Sequence, residues 1–236
     1  MKNNIAIQDI ANAITDRPVG MRIGNKQLYL HPPTLGKTMI VTSILNNLGM
    51  DMRIMKRMPQ VELLRVAIDK KDECCKLIAY HTLNRKNDIL NIEKVNKRAE
   101  YIADNMEAKD IAIAMTIILL SDNYNNIIKQ TGIDKEHQRM SKVQKVKKDK
   151  NTFFFGGKTA YGSLISTACE KYHWTYDYVV WGISYTNLRL MLADSITTIY
   201  LTDEERKRVH VPNKASENIK ADDPKNYEKI LAMKFD

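Results

Sequence analysis

A mainly α-helical protein, a helical bundle with a small N-terminal β-hairpin and a C-terminal aromatic helical hairpin, is the fold class this sequence predicts. Apolar residues recur at helical spacing through most of 35–131 and again through 159–192. Gly and Pro number only 9 and 6 in 236 residues, too few for a turn-dense β architecture. One place alone reads as β: Met21-Arg22-Ile23, the turn Gly24-Asn25-Lys26, and Gln27-Leu28-Tyr29-Leu30-His31.

In chain order, Ile5, Ile7, Ile10, Ala13 and Ile14 predict an N-terminal helix that ends before Pro18 and Gly20. The hairpin follows and is stopped by Pro32-Pro33. Thr34 stands at an N-cap position ahead of Leu35, Met39, Ile40, Ile44, Leu45 and Leu48, and Gly49 ends that helix. Val61, Leu64, Ala67 and Ile68, then Cys75, Leu77, Ile78 and Leu83, predict one or two helices over 60–83 that bury those residues. Ile89, Ile92, Val95, Ala99, Ile102 and Ala103 continue the pattern. The stretch 111–120, the most apolar of the chain, is ten residues between Asp110 and Asp122, which reads as a buried core helix and falls short of the roughly 20 needed to cross a bilayer. Thr159 caps a helix with the face Tyr161, Leu164, Ile165, Ala168, Cys169 and Tyr172. Thr175 caps a second carrying Tyr178, Trp181, Tyr185, Leu188, Met191 and Leu192, the two packing as a hairpin. Thr202-Asp203-Glu204-Glu205 is a capping box, and the chain beyond Pro212 loses periodicity. The expected organisation is 1–134 as hairpin plus bundle, 135–152 as a basic linker or helix, 153–211 as the aromatic part and 212–236 as a tail.

The 37 Lys plus Arg against 28 Asp plus Glu leave a net charge of +9. Most of it is local: 135–150 holds seven basic residues against Glu136 and Asp149, an excess of +5. Lys142, Lys145, Lys147 and Lys148 in that run are candidate contacts for an acidic partner or nucleic acid, but no aromatics are interleaved to stack on bases, so nucleic acid is not the favoured partner. The N-terminus lacks a continuous apolar stretch of signal-peptide type, and adjacent Cys74 and Cys75 with Cys169 do not form a disulfide framework. A cytoplasmic protein with reduced thiols and no membrane partner is expected.

Chemistry-bearing motifs are few. Gly36-Lys37-Thr38 and Gly157-Lys158-Thr159 each resemble the end of a phosphate-binding loop, but His31 and Thr152 occupy the position where its first glycine belongs. Both read better as helix starts. Cys169 with His173, or Cys75 with His81, are pairs, whereas zinc needs four ligands. His31, His81, His137 and His210 fall in turns or charged surroundings and read as solvated imidazoles. No catalytic residue, metal site or cofactor is predicted.

Ten of the 17 aromatic residues lie in 153–185, including Phe153, Phe154, Phe155 and both tryptophans. Helical spacing places Tyr178, Trp181 and Tyr185 on one side, while Trp174 and Tyr176 fall at a turn and are better placed for exposure. Together Trp174, Tyr176, Tyr178, Trp181 and Tyr185 are the candidate partner-binding set, since large rings bury area at small entropic cost.

The order of features also resembles a known family. A short hairpin leads into Leu30-His31-Pro32-Pro33-Thr34-Leu35-Gly36-Lys37. A helical domain follows, then Tyr161-Gly162-Ser163-Leu164-Ile165, Trp174-Thr175-Tyr176-Asp177-Tyr178-Val179-Val180-Trp181 and 188–193. In this the chain resembles the tail assembly chaperones of long-tailed bacteriophages. The resemblance implies a non-enzymatic protein of the host cytoplasm, able to self-associate, that binds the long helical tape measure protein or another helical tail protein during tail morphogenesis. A groove rich in aromatics and in Met, of which the chain has 12, suits that task. The alternatives are a structural virion protein, such as a head–tail or tail component, and a helical nucleic-acid binder.

Overall fold

The computed structural model describes residues 10–120, 124–147 and 158–209. The expectations for 1–9, for Lys148, for Phe153–Phe155, for His210 and for the tail lie outside these residues. After a helical stretch at 10–14, β1 (Val19–Ile23) and β2 (Lys26–Leu30) pair antiparallel with Ile23 opposite Lys26. This leaves a two-residue turn whose first position, Gly24, has φ +54°. A positive φ there lets the turn follow the right-handed twist of the strands, which glycine does without steric cost. The turn also docks: the Tyr101 hydroxyl lies 2.8 Å from the Ile23 carbonyl and 2.9 Å from Asn25 Oδ1, and Lys26 Nζ sits 4.2 Å from the Tyr101 ring centre.

Helices follow almost without interruption. α1 (Leu35–Asn47) is capped by Thr34, whose hydroxyl accepts from the Lys37 amide at 3.3 Å; α2 (Met52–Arg57) is capped by Asp51 and α3 (Pro59–Asp69) begins on proline. Then come α4 (Lys71–Thr82), α5 (Lys86–Leu90), α6 (Ile92–Asn105), α7 (Ala108–Leu120), α8 (Tyr124–Thr131) and α9 (Ile133–Val146). The aromatic part forms α10 (Ala160–Tyr172), a π-helical segment (Tyr178–Gly182) and α11 (Tyr185–Ala193), and α12 (Asp203–Val209) comes last. Of the one or two helices expected over 60–83 the structure has two, separated at Lys70, and α2 is a helix the periodicity did not announce.

The fold is built around α4. Cys74, Cys75, Leu77, Ile78, Ala79, Tyr80, His81 and Thr82 are all buried, so from Leu77 on this helix is covered on every side rather than along one stripe, while Lys71 and Asp72 at its start are exposed. Its neighbours are β2, α1, α3, α6 and α7. The two adjacent thiols are held in their neutral form, burial pushing Cys74 to about 12 and Cys75 to about 11. His81 is only 5% exposed and its pKa is lowered to about 4, chiefly by burial and further by the nearby Lys37 charge. That corrects the solvated imidazole expected at this position: in a helix buried all round, the polar residue at its end is buried too.

A helix end placed in a core must find partners for its last carbonyls. The His31 amide donates to the His81 carbonyl at 2.8 Å, the Thr82 hydroxyl to that of Ala79 at 2.8 Å, and the ammonium of Lys37 to that of Leu83 at 2.8 Å. Lys37 is fully buried, which lowers its pKa to about 8. Gly36-Lys37-Thr38 therefore forms a helix start, with its lysine directed at a helix end.

The α3 helix departs from expectation. Glu62, Leu63, Val66 and Ala67 face inward, while Val61, Leu64 and Ile68 are exposed. The Glu62 carboxylate is covered by Arg65, which reaches it at 2.6 and 3.0 Å, bonds Asp69 at 2.9 Å and donates to the Gly49 carbonyl at 3.1 Å; the Asp51 amide donates to Glu62 at 2.7 Å. These donors, Arg65 first, hold the Glu62 pKa below the usual carboxylate value, and they tie α3 to the α1–α2 connection. α7 is likewise half buried: Ile111, Ala112, Ala114 and Met115 are in the core, whereas Ile113 and Leu120 are exposed. An 18-residue window within Ala108–Thr131 reaches a mean hydropathy of 1.3, a value that a core helix and a membrane-crossing helix share.

The described residues up to 134 together with 158–195 form one unit, and 135–147 with 196–209 belong to another. In the latter, α9 has no fully buried residue and only Met140, Val143 and Val146 half covered near its C-terminal end, and the predicted capping box is formed at α12, with Thr202 N to Glu205 Oε2 at 2.9 Å and Glu205 N to Thr202 Oγ1 at 3.3 Å.

Two outcomes test this packing. A Cβ at Gly36 would come within 2.8 Å of Val180 Cγ1 and 2.9 Å of Trp181, so Gly36→Ala should destabilise the protein by ~1–3 kcal/mol in chemical unfolding. Lys37 is protonated in the unfolded chain up to about 10.5 but in the folded protein only up to about 8, so between these values the unfolded state binds the extra proton. The stability of the wild type relative to Lys37→Met should therefore rise from pH 8 to 10.5, by at most ~3 kcal/mol; a flat difference across that range would remove Lys37 as a buried charge.

Candidate protein-binding site

The aromatic residues are positioned by α10 and the segment after it. Thr159 caps α10, accepting from the Gly162 amide at 3.3 Å, and Leu164, Ile165, Ala168, Cys169 and Tyr172 face inward as predicted, whereas Tyr161, expected on the same face, lies in the first turn and is exposed. His173 ends the helix in the left-handed conformation, φ +54°. The next turn stacks Trp174 between two tyrosines: its ring lies 4.8 Å from that of Tyr172 and 5.0 Å from that of Tyr178, the latter edge-on at 73°. Tyr172 also donates to the Met191 carbonyl at 2.7 Å, fastening α10 to α11.

The single helix predicted to run from Thr175 to Leu192 is broken. Thr175 does cap it, accepting from the Tyr178 amide at 3.2 Å, but the bond from Ile183 N to Tyr178 O (3.2 Å) closes a five-residue turn. Ile183 and Ser184 are then extended. Ser184 bridges Thr34 and caps α11, and the Tyr185 amide donates to the Pro33 carbonyl at 2.8 Å. The break lets Val179, Ile183 and Leu188 bury against Leu35 together with Ala168. One extra residue in the turn rotates the chain after Gly182, so Tyr178 and Tyr185 do not share a side.

The five candidate aromatics therefore have different surroundings. Tyr176 is 65% exposed and Tyr178 44%. Trp174, expected at the surface of the turn, is half-buried in the stack. Trp181 is half-buried over Gly36, with Lys86 Nζ 6.0 Å from its ring and ion-paired to Asp177. Tyr185 is half-buried beside Arg189, whose guanidinium lies 5.4 Å from its ring and 3.6 Å from that of Tyr124. Lys142, Lys145 and Lys147 are exposed on or just beyond α9.

Sequence reasoning missed a second apolar surface. Met58 at the start of α3, then Val61, Leu64 and Ile68 along it, are exposed at spacings of three, three and four, one helical stripe. The signal was present: 61–68 carries two apolar stripes, Val61-Leu64-Ile68 and Leu63-Val66-Ala67, and a helix on the outside of a bundle buries only one.

Among the described residues no group of three or more His, Cys, Asp and Glu is placed to hold a metal, and Cys169 lies on the inner face of α10 while His173 is exposed. No family model, curated protein or solved structure matches the chain.

Structural and contact aromatics should separate on substitution. Trp174→Ala removes the centre of the stack and should cost ~1–3 kcal/mol in thermal or chemical unfolding, whereas Tyr176→Ala should stay within about 0.5 kcal/mol of wild type. Equal losses would place Tyr176 in the core.

Proposed function

We propose that this protein is a tail assembly chaperone of a long-tailed bacteriophage, holding the tape measure protein or another long helical tail protein during tail morphogenesis. The observation that carries the reading is the exposed stripe Met58, Val61, Leu64 and Ile68. Apolar side chains at helical spacing are what an amphipathic helix needs from a partner, and an exposed row of them has no role in the bundle's own core. Exposed Tyr176 and Tyr178 add amphipathic rings of the kind that dominate binding energy. The motif order from Leu30 to Lys37 and from Tyr161 to Trp181 supports the family side of the reading.

The exposed Lys142, Lys145 and Lys147 favour a second reading, a helical nucleic-acid binder, because a basic helix gains affinity by releasing counterions from phosphates.

Co-expression decides between them. The longest helical tail protein of the same virus should stay soluble and co-purify with this chain. Changing Val61, Leu64 and Ile68 to Ser, or Tyr176 and Tyr178 to Ala, should weaken that capture roughly tenfold or more while leaving the helical circular dichroism intact. Absence of rescue and of co-purification, or a stoichiometric band of this chain in mature particles, would sink the chaperone reading. A salt-dependent shift of duplex DNA that is lost when Lys142, Lys145, Lys147 and Lys148 are changed would establish the second.

A further inference from the structure

A cavity of about 370 Å³ lies between the end of β2, the start of α1, the last turn of α4, α7 and the start of α11, and it has no part in the protein-binding reading. Its volume falls within the ~300–1,000 Å³ of small-molecule sites, and Leu30, Pro32, Ile117 and Ile118 give it apolar walls.

Three of its polar groups, on His81, Thr38 and Asp16, offer acceptors. Nδ1 of His81 lies 2.9 Å from the Leu77 carbonyl, and since a carbonyl only accepts, Nδ1 carries the hydrogen and Nε2 a lone pair. The Thr38 hydroxyl donates to the Thr34 carbonyl at 3.0 Å, which leaves its own lone pairs. The Asp16 carboxylate accepts from Asn187 Nδ2 at 2.9 Å and keeps further acceptor capacity. Burial keeps His81 neutral down to about pH 4 and lowers the pKa of His31 as well.

Charge narrows the ligand further. Lys37, fully buried with its ammonium donating to the Leu83 carbonyl, lowers the pKa of both histidines and so disfavours a cation beside them. The wall also carries one charge of each sign, the Asp16 carboxylate and the Arg17 guanidinium, so it favours neither an anion nor a cation.

We propose that this cavity binds a neutral molecule with an apolar body and a hydroxyl or amide N–H donor, received by Nε2 of His81. At Nε2 of His81 a cation would meet the repulsion of the nearby Lys37 charge and an anion would face a lone pair, whereas a neutral donor meets a bare acceptor.

Four probes on one ring decide it: benzyl alcohol, toluene, benzoate and benzylamine, titrated into the full chain with ¹⁵N-labelled histidine. Benzyl alcohol should move the His81 Nε2 resonance and bind, with benzoate, benzylamine and toluene each roughly tenfold weaker. Ala13→Phe, at the cavity wall and away from the α3 stripe, should abolish that binding without loss of helical circular dichroism. The wild-type series is decisive by itself if that variant misfolds. Tight binding of either charged probe, equal binding of toluene, or an unmoved His81 resonance at saturating benzyl alcohol would overturn the assignment. Capture of a tail protein is read separately, so failure here leaves that test standing.

Discussion

The carbonyl end of α4 sets the terms for the rest of the main unit. A helix covered on all sides cannot leave its final peptide groups to water, and each buried carbonyl without a donor costs ~1–3 kcal/mol. The chain meets this with groups from elsewhere: the His31 amide, at the end of β2, and the Lys37 ammonium, from the first turn of α1. A cation is also the favourable charge at a helix C-terminus. Burying an ammonium is expensive, as its lowered pKa reflects, but the alternative is an unsatisfied carbonyl next to the core. The hairpin, Pro32-Pro33 and α1 are thereby placed, and the cavity forms where these elements diverge.

The same first turn of α1 receives the aromatic part. Gly36 allows Val180 and Trp181 to approach its backbone, and Leu35 completes the cluster of Ala168, Val179, Ile183 and Leu188. Thr34 both caps α1 and pairs with Ser184. Three consecutive residues, Leu35, Gly36 and Lys37, therefore connect α1 to the aromatic segment on one side and to α4 on the other. The interruption of the aromatic helix is the local adjustment that permits it: a regular helix would turn Ile183 away from Leu35, and the π turn followed by an extended pair brings it back.

The surfaces left over are of two kinds. Met58, Val61, Leu64 and Ile68, with Tyr176 and Tyr178, are apolar or amphipathic and exposed, which suits a helical partner. The cavity is small and half open, with acceptors on His81 and Thr38 beside apolar walls, which suits a neutral small molecule. The separation is physical: extended rows of side chains match other proteins, while convergent lone pairs inside apolar walls match a compact ligand.

The helical class, the hairpin with its glycine turn, the caps at Thr34, Thr159 and Thr175 and the box at Thr202 were legible in the sequence, because each depends on residues within four or five positions of one another. The inner face of α10 was legible for the same reason. What stayed hidden depends on partners far along the chain. Periodicity shows that 61–68 is amphipathic but not which of its two apolar stripes meets α7. Nothing near Lys37 announces Leu83, 46 residues later, and nothing near His81 reveals that α4 is enclosed from Leu77 to Thr82. The π turn arises from the demand that Ile183 reach Leu35, which no local spacing records. Local hydrogen bonding and side-chain periodicity were thus determined by sequence alone. Which faces are buried, which charges enter the core and where a cavity opens were decided by tertiary packing, since burial belongs to the assembled elements and to no single one of them.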